Sequence, residues 1–267
     1  MKKKCISIGK PEAGCINEDA AMSDGNKIAI SDGAGGGGLF AERWSRYLLD
    51  HLPDAPIFSA EDLDCWLESI WEPFYNVCEE DAKMLGGMPL EKFYSEGSFA
   101  TLVAVWKTAE NECKWISYGD SVAFHYNYAT HQLQHSFTSL PDFDNSPYLI
   151  NCKEELNKGG FRQGTFYTDS QSIVFVASDA LAHYIIMMYE IRNSEMFKDD
   201  IEHVLGKQTK NTNYIKTAMT LKKIDFENKV LKKLIQCVGN FQNFARHTSK
   251  LQRIGLLAYD DYSLAVL

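Results

Sequence analysis

Short apolar runs alternate along this chain with longer stretches of helical periodicity. Five runs are rich in β-branched and aromatic residues and have turn-forming residues at their ends, a pattern typical of strands. They are residues 27–31, 98–106, 113–118, 172–177 and 262–267. We therefore predict at least five strands.

Between these runs, apolar residues recur every three or four positions around residues 40–52, 63–78 and 181–189. That spacing puts the apolar side chains on one face of a helix, which we expect to pack on a sheet. Runs 98–106 and 113–118 are joined by a polar turn, which predicts an antiparallel hairpin rather than a βαβ crossover. The fold class is therefore α+β, with largely antiparallel sheets and helices layered outside them.

Residues 205–253 differ from the rest of the chain in charge. Eleven Lys and Arg against two acids give this region a net charge of +9, so within a total of −9 the remainder carries −18. We expect the region to be mostly helical. Its charge indicates either a solvated helical face or a surface that attracts an anionic substrate or partner.

The composition favours one soluble globular domain spanning residues 1–267. Apolar residues make up 45% and charged residues 24% of the chain, and 267 residues lie near the upper range of single domains. The net charge of −9 argues against a general nucleic-acid binder, because binding a polyphosphate needs an excess of Lys and Arg.

Targeting signals are weak, and we expect a cytoplasmic protein. The basic start at residues 1–4 is followed by only four residues of an apolar run, at 5–8, so no secretory signal is predicted. No segment approaches the roughly 20 apolar residues of a membrane span. The seven cysteines form no Cys-x-x-Cys pair, which suits buried thiols better than disulfides or a zinc site.

An aspartate follows directly on the first apolar run. Asp32 at a strand end has a fixed direction, and Gly33 lets a backbone carbonyl approach the same point. Gly33, Gly35 and Gly38 formally match the dinucleotide-binding fingerprint. However, Asp32 would face the pyrophosphate, and the next strand is not where a βαβ unit would place it. We instead expect a cation beside this carboxylate.

Three further acidic positions lie at the ends of apolar segments, and each has an ordinary alternative explanation. Glu18 and Asp19 would suit a solvated turn. Asp179 follows the strand at 172–177 and would suit the first turn of a helix. Asp260 and its neighbour Asp261 open the last predicted strand and would suit a polar turn.

Taken together, these positions repeat one design, in which acids lie at the edges of apolar strands. If the edges converge, several carboxylates share one cleft, and like charges raise one another's pKa. A divalent cation removes that cost. Ligands that are all oxygen favour Mg²⁺ or Mn²⁺ over zinc, which prefers His or Cys.

In order and spacing, six motifs resemble the metal-dependent type 2C Ser/Thr protein phosphatases, in a divergent, mostly bacterial branch. The family shows an acidic pair, Asp-Gly-x-Gly, Gly-Ser/Thr-x-Ala, Gly-Asp-Ser, a Ser-Asp-Gly-like motif and Asp-Asn-x-Ser/Thr. The matching segments here are Glu18-Asp19, Asp32-Gly33-Ala34-Gly35, Gly97-Ser98-Phe99-Ala100, Gly119-Asp120-Ser121, Ser178-Asp179-Ala180 and Asp260-Asp261-Tyr262-Ser263.

The resemblance implies a four-layer sandwich, in which two antiparallel β-sheets are flanked by helix pairs. It implies two Mg²⁺ or Mn²⁺ ions, bridged by Asp32, with the Gly33 carbonyl binding one of them. Glu18, with Asp19 beside it, would hold the second ion. Asp179 and Asp260 would hold the first.

In the family mechanism a metal-activated water attacks phosphorus, so Asp32, Asp179 and Asp260 would be catalytic through that water. The resemblance also makes Asp142 and Asp144 the candidates for a third ion, which some bacterial members hold. Substrate-binding residues are not indicated.

The chain departs from the family pattern where the substrate phosphate is held. Many members carry a phosphate-binding Arg five residues before the acid that matches Asp19, and here that position is Gly14. The nearest upstream cation is Lys10, a point charge on a flexible stem. Val122 replaces an Arg after Gly-Asp-Ser, and Asp261 replaces the usual Asn.

Two functions follow from these observations. The first is Mg²⁺- or Mn²⁺-dependent hydrolysis of phosphoserine and phosphothreonine in proteins. The second is a catalytically weak or inactive protein of the same fold, acting as a sensor or scaffold for a phosphorylated partner. Gly14 and Val122 favour the second function, and the retained acids favour the first.

Overall fold

The computed structural model describes residues 4–10, 12 and 14–267; the first three residues of the basic start lie outside them. The strands are β1 (Cys5–Ile8), β2 (Ala20–Ser23), β3 (Lys27–Ser31), β4 (Gly33–Gly38), β5 (Ser98–Ala100), β6 (Leu102–Ala109), β7 (Glu112–Tyr118), β8 (Val122–Asn127), β9 (Gln132–His135), β10 (Ile150–Asn151), β11 (Phe161–Tyr167), β12 (Ser172–Ala177) and β13 (Tyr262–Val266). The α-helices are α1 (Ala41–Asp50), α2 (Ala60–Leu85), α3 (Gly87–Glu96), α4 (Asp179–Arg192), α5 (Lys198–Gly206), α6 (Lys210–Met219), α7 (Lys232–Cys237) and α8 (Phe241–Arg253).

Two five-stranded antiparallel sheets form the centre of the molecule. Their strand orders are β1-β13-β12-β8-β9 and β11-β7-β6-β3-β2. A small third sheet, β10-β5-β4, was not predicted from the sequence. The predicted hairpin is present as the antiparallel pair β6–β7, in which Val105 lies opposite Trp115.

Three apolar clusters hold the layers together. Ile30, Val103 and Val176 belong to a buried cluster between the two sheets. Helices α1–α3 pack on the sheet containing β3 through residues such as Trp44. The helices from α4 to α8 pack on the other sheet through residues such as Ile185. The predicted α+β class and the four-layer sandwich are therefore confirmed.

The predicted strand at 98–106 is interrupted at Thr101, where it leaves the small sheet and enters the large one. The Thr101 N–H donates to the Asp32 carbonyl at 2.8 Å, and the Asp32 N–H donates to Thr101 Oγ1 at 3.2 Å. Thr101 Oγ1 also lies 2.9 Å from Ser121 Oγ, in the β7–β8 turn. Thr101 therefore links Asp32 to the start of β6 and, through Ser121, to the β7–β8 turn.

The Lys-rich region at 205–253 is mostly helical, as predicted. It holds α6, a π-helical turn at Phe226–Leu231 that leads into α7, and α8. Lys222 and Lys223 are exposed between α6 and this turn.

No helix in the part of the chain that the structure describes is both long enough and apolar enough to cross a membrane.

Candidate metal centre

Five aspartates lie at strand ends and act on one another electrostatically. Asp32 joins β3 to β4, and Asp120 lies in the turn between β7 and β8. Asp179 follows β12 and opens α4, whereas Asp19 and Asp260 precede β2 and β13. The charges of Asp19, Asp120 and Asp260 all raise the pKa of Asp179, which places these side chains around one region. These aspartates are thus close enough for their charges to act on one another.

Asp19 is the most buried of the five. It is 2% exposed, and neither carboxyl oxygen accepts a hydrogen bond. Burial raises the pKa of Asp19 to about 7, although the neighbouring side chains of Ser263, Asp32 and Ser178 oppose that rise. The Ser263 hydroxyl donates to Ser7. A buried carboxylate with so little hydrogen bonding is costly, so this position favours a compensating cation.

The pKa values of Asp32 and Asp179 are also raised, although both side chains are only half-buried. Desolvation comes first among the causes that raise the pKa of Asp32, followed by the charges of Asp19, Asp179 and Asp120. The pKa of Asp179 also lies well above its usual value, because of desolvation and then Asp120 and Asp260. The negative charges of all five aspartates therefore act on this pair.

Asp120 also belongs to this cluster, although sequence reasoning assigned it only to a motif and gave it no role. Burial raises the pKa of Asp120 to about 6, with Asp260 adding to the rise and the Arg162 guanidinium opposing it. The Gly-Asp-Ser turn was the available signal for Asp120. Arg162, in the middle of the sequence on β11, had no local signal.

The Glu18 carboxylate lies against Gly35. A Cβ on Gly35 would lie 1.9 Å from Glu18 Oε1, so the carboxylate occupies the space that a side chain there would need. A Cβ on Gly33 would lie 2.7 Å from both the Glu18 and the Ala41 carbonyl oxygens. Both glycines of Asp-Gly-x-Gly are therefore required by close approach to neighbouring groups.

Asp261 anchors the backbone beneath these acids. It is 4% exposed, and its two carboxylate oxygens accept the N–H groups of Lys10 and Glu18, each at 2.8 Å. An Asn at this position offers only one acceptor oxygen. The acid at 261 thus binds two distant segments of the chain, a role that the motif alone did not reveal.

Lys10 forms an ion pair with Asp260, with Nζ 2.9 Å from Oδ1. Its charge also opposes the rise that burial causes in the pKa of Glu18. Sequence reasoning identified Lys10 only as the nearest upstream cation. Gly14, where the family Arg is expected, lies exposed at φ +91°, a conformation that side chains rarely adopt.

Asp142 and Asp144, the candidates for a third ion, are held by other partners. Both lie in a short 3₁₀ turn, Leu140–Asp144. The Ser139 hydroxyl donates to Asp142 at 2.9 Å, and the Asn211 amide donates to Asp144 at 2.8 Å. Neither is among the charges that shift the pKa of Asp32 or Asp179. Asp144 Oδ2 is buried without a hydrogen-bond partner, so a third ion at this turn stays a prediction.

The donor set fits a hard divalent cation. In the described residues, no three or more His, Cys, Asp or Glu side chains already surround a common point as metal ligands would. The unsatisfied oxygens of Asp19 and the mutual repulsion with Asp32 and Asp179 are nevertheless what such an ion relieves.

Comparisons with known proteins agree with this architecture. No protein-family model matches the chain, and no curated protein sequence does. Among solved structures, the Mycobacterium tuberculosis serine/threonine phosphatase PstP/Ppp superposes with a TM-score of 0.52 at 13% identity, over 98% of this chain and 95% of that one. The Staphylococcus aureus phosphatase Stp1 gives 0.51 at 12% identity, over 100% and 94%.

A third solved structure is the catalytic domain of PstP in complex with two manganese ions. It superposes with a TM-score of 0.50 at 14% identity, over 98% of this chain and 96% of that one. At such identities the likeness concerns the fold. The chain therefore has the fold of the bacterial type 2C serine/threonine phosphatases, as its six motifs predict.

Proposed function

We propose that this chain is a Mg²⁺- or Mn²⁺-dependent phosphatase that hydrolyses phosphoserine and phosphothreonine in proteins. The observation that carries the proposal is the Asp19 carboxyl group, buried beside Asp32 with neither oxygen hydrogen-bonded. A scaffold without a cation would gain stability by replacing such a group. The manganese ions described for PstP, which shares the fold, support two ions here.

In this proposal, Asp19, Asp32, Asp179 and Asp260 hold the ions, together with the Gly33 carbonyl and Glu18. The ions would supply Lewis-acid charge and an acidified water for attack on phosphorus. The chain fixes the directions of the acids: Thr101 holds the backbone of Asp32, and Asp261 holds the backbone of Glu18. Asp120 adds negative charge that strengthens cation binding. A third ion at Asp142 or Asp144 stays a prediction.

The substrate and location follow as parts of the same proposal. A phosphorylated protein is the expected partner, and the acidic balance of the chain argues against nucleic acid. The cysteine pattern favours the cytoplasm.

Turnover of p-nitrophenyl phosphate with Mn²⁺ tests the reaction. Asp32→Asn should lower the rate by about 100-fold or more, since even outer-shell changes at metal sites cost 10- to 100-fold. Asp50→Asn, an exposed aspartate at the end of α1, is the matched control and should leave the rate unchanged. Activity that survives Asp32→Asn would refute the proposed centre.

The second function, a phosphate-responsive scaffold with little turnover, is favoured by one observation. Gly14 has positive φ and is exposed, so the chain is not shaped for an Arg there. Calorimetry separates the two functions. Mn²⁺ binding without hydrolysis of any phosphopeptide would leave the scaffold, whereas Mn²⁺-dependent hydrolysis would establish the phosphatase.

A further inference from the structure

Lys10 is held by its backbone so that its side chain reaches the acids. Its N–H donates to Asp261 Oδ1 at 2.8 Å, which fixes the root of the side chain on the last acidic motif. From there its ammonium lies 2.9 Å from Asp260 Oδ1. Asp261 and Glu18 also lie near enough for their charges to act on it. One lysine therefore neutralises part of a three-acid group.

Asp260 is also one of the proposed metal ligands, so the ammonium and a divalent ion compete for the same carboxylate. Lys10 binds Oδ1 of Asp260, and a divalent ion brought to the same carboxyl group would be repelled by the nearby ammonium charge. The Lys10 side chain is 29% exposed and has a flexible four-carbon stem, so its ammonium can leave Asp260 when a metal binds.

We propose that Lys10 occupies Asp260 as a substitute cation while the centre is free of metal, and that metal binding releases its ammonium to hold the phosphate of the substrate. This inference rests on the proposed function. Lys10 would then hold the substrate phosphate, for which position 14 offers no Arg. The same residue would oppose metal binding and favour phosphate binding.

Calorimetry with Mn²⁺ and inorganic phosphate tests the exchange on the full chain. Lys10→Met keeps the backbone N–H that Asp261 accepts but removes the charge. Mn²⁺ should bind the variant about five-fold more tightly, the scale of a partly exposed ion pair. Phosphate should bind the Mn²⁺-loaded variant about five-fold more weakly. Lys10→Arg, which keeps the charge, should restore both affinities towards those of the original chain.

Lys158→Met is the matched control. Lys158 forms an ion pair of the same length, 2.9 Å, with Glu61, and both residues are exposed. It should alter neither affinity. General damage in Lys10→Met would weaken both ligands together, so the opposite signs distinguish the exchange from misfolding.

The outcomes separate this inference from the proposed function. If the original chain binds Mn²⁺ and hydrolyses p-nitrophenyl phosphate, but Lys10→Met changes neither affinity or weakens both, the Lys10 exchange is wrong and the phosphatase remains. If Mn²⁺ binds neither the original chain nor Lys10→Met, the metal centre fails, and the exchange fails with it.

Discussion

The carboxyl group of Asp19 lies beside that of Asp32, and neither oxygen of Asp19 accepts a hydrogen bond. Burial raises the pKa of both groups and the charge of Asp19 raises that of Asp32 further, so the pair is unfavourable for the folded chain alone. Such an arrangement is typical of functional sites, where the chain gives up stability for a bound ligand. The stability of the chain with and without metal measures this cost.

Asp19→Asn should raise the stability of the metal-free protein and reduce its stabilisation by metal. Without metal, removal of the buried charge should add about 1 kcal/mol to the free energy of unfolding. The original chain should gain about 2.7 kcal/mol when Mn²⁺ is present at 100 times its dissociation constant, and the variant much less. Urea unfolding with EDTA or Mn²⁺ measures both. A variant that is less stable in EDTA and equally stabilised by Mn²⁺ would contradict this account.

Gly35 and Gly36 form a matched pair for the position of Glu18. Gly35→Ala puts a Cβ where Glu18 Oε1 now lies and should displace that carboxylate, whereas a Cβ on Gly36 meets nothing within 4 Å. Gly35→Ala should weaken Mn²⁺ binding by about ten-fold. Gly36→Ala should bind Mn²⁺ as the original chain does. Equal affinities in the two variants, measured by calorimetry, would remove Glu18 from the centre.

Glu190 on α4 predicts a pH dependence of stability away from the metal centre. It is 2% exposed, its Oε2 has no hydrogen-bond partner, and burial, with the charge of Asp200, raises its pKa to about 8. The folded chain therefore holds this proton at a pH where the unfolded chain has lost it. The resulting stability is present below pH 4.5 and is lost as the pH rises to about 8.

Glu190→Gln should consequently raise the midpoint of thermal unfolding at pH 8 more than at pH 5. Glu195→Gln, an exposed change near the end of the same helix, is the control and should give no pH-dependent difference. A Glu190→Gln effect that does not grow between pH 5 and pH 8 would show that this carboxyl ionises normally in the folded state.

The Lys-rich region predicts a surface for an acidic part of the substrate. Lys222 and Lys223 line a groove with apolar residues, among them Met219 and Leu221, which are 53% and 39% exposed. Changing both lysines to Glu should weaken binding of an acidic phosphopeptide and leave p-nitrophenyl phosphate hydrolysis unchanged. The same double change at Lys250 and Arg253, in the last turn of α8, is the control. Unchanged peptide affinity would mean that this face is only solvated.

The positions of Asp32 and Asp179 at strand ends could be predicted because strand ends are local features. The apolar runs ending at Ser31 and Ala177 deliver Asp32 and Asp179 in fixed directions, and the structure groups both with Asp19. The split at Thr101 could not be seen in the same way. It depends on hydrogen bonds to Asp32 and Ser121, which are distant in sequence.

The roles of Asp261, Lys10 and Arg162 were hidden for a related reason. Asp261 joins residues 10 and 18 across the whole length of the chain, and no local pattern records that contact. Arg162 approaches Asp120 only because β11 pairs with β7. Asp144 lay in the expected region of the sequence, but Asn211 of α6 engages it. In each case the role of the residue depends on a contact with a residue far away in the sequence.

Diffraction from crystals soaked in Mn²⁺, recorded for the anomalous signal of manganese, would locate the ions. We expect two peaks among Asp19, Asp32, Asp179 and Asp260, and the Lys10 ammonium moved away from Asp260. Ordered manganese only elsewhere, or none within this group at saturating Mn²⁺, would contradict this expectation.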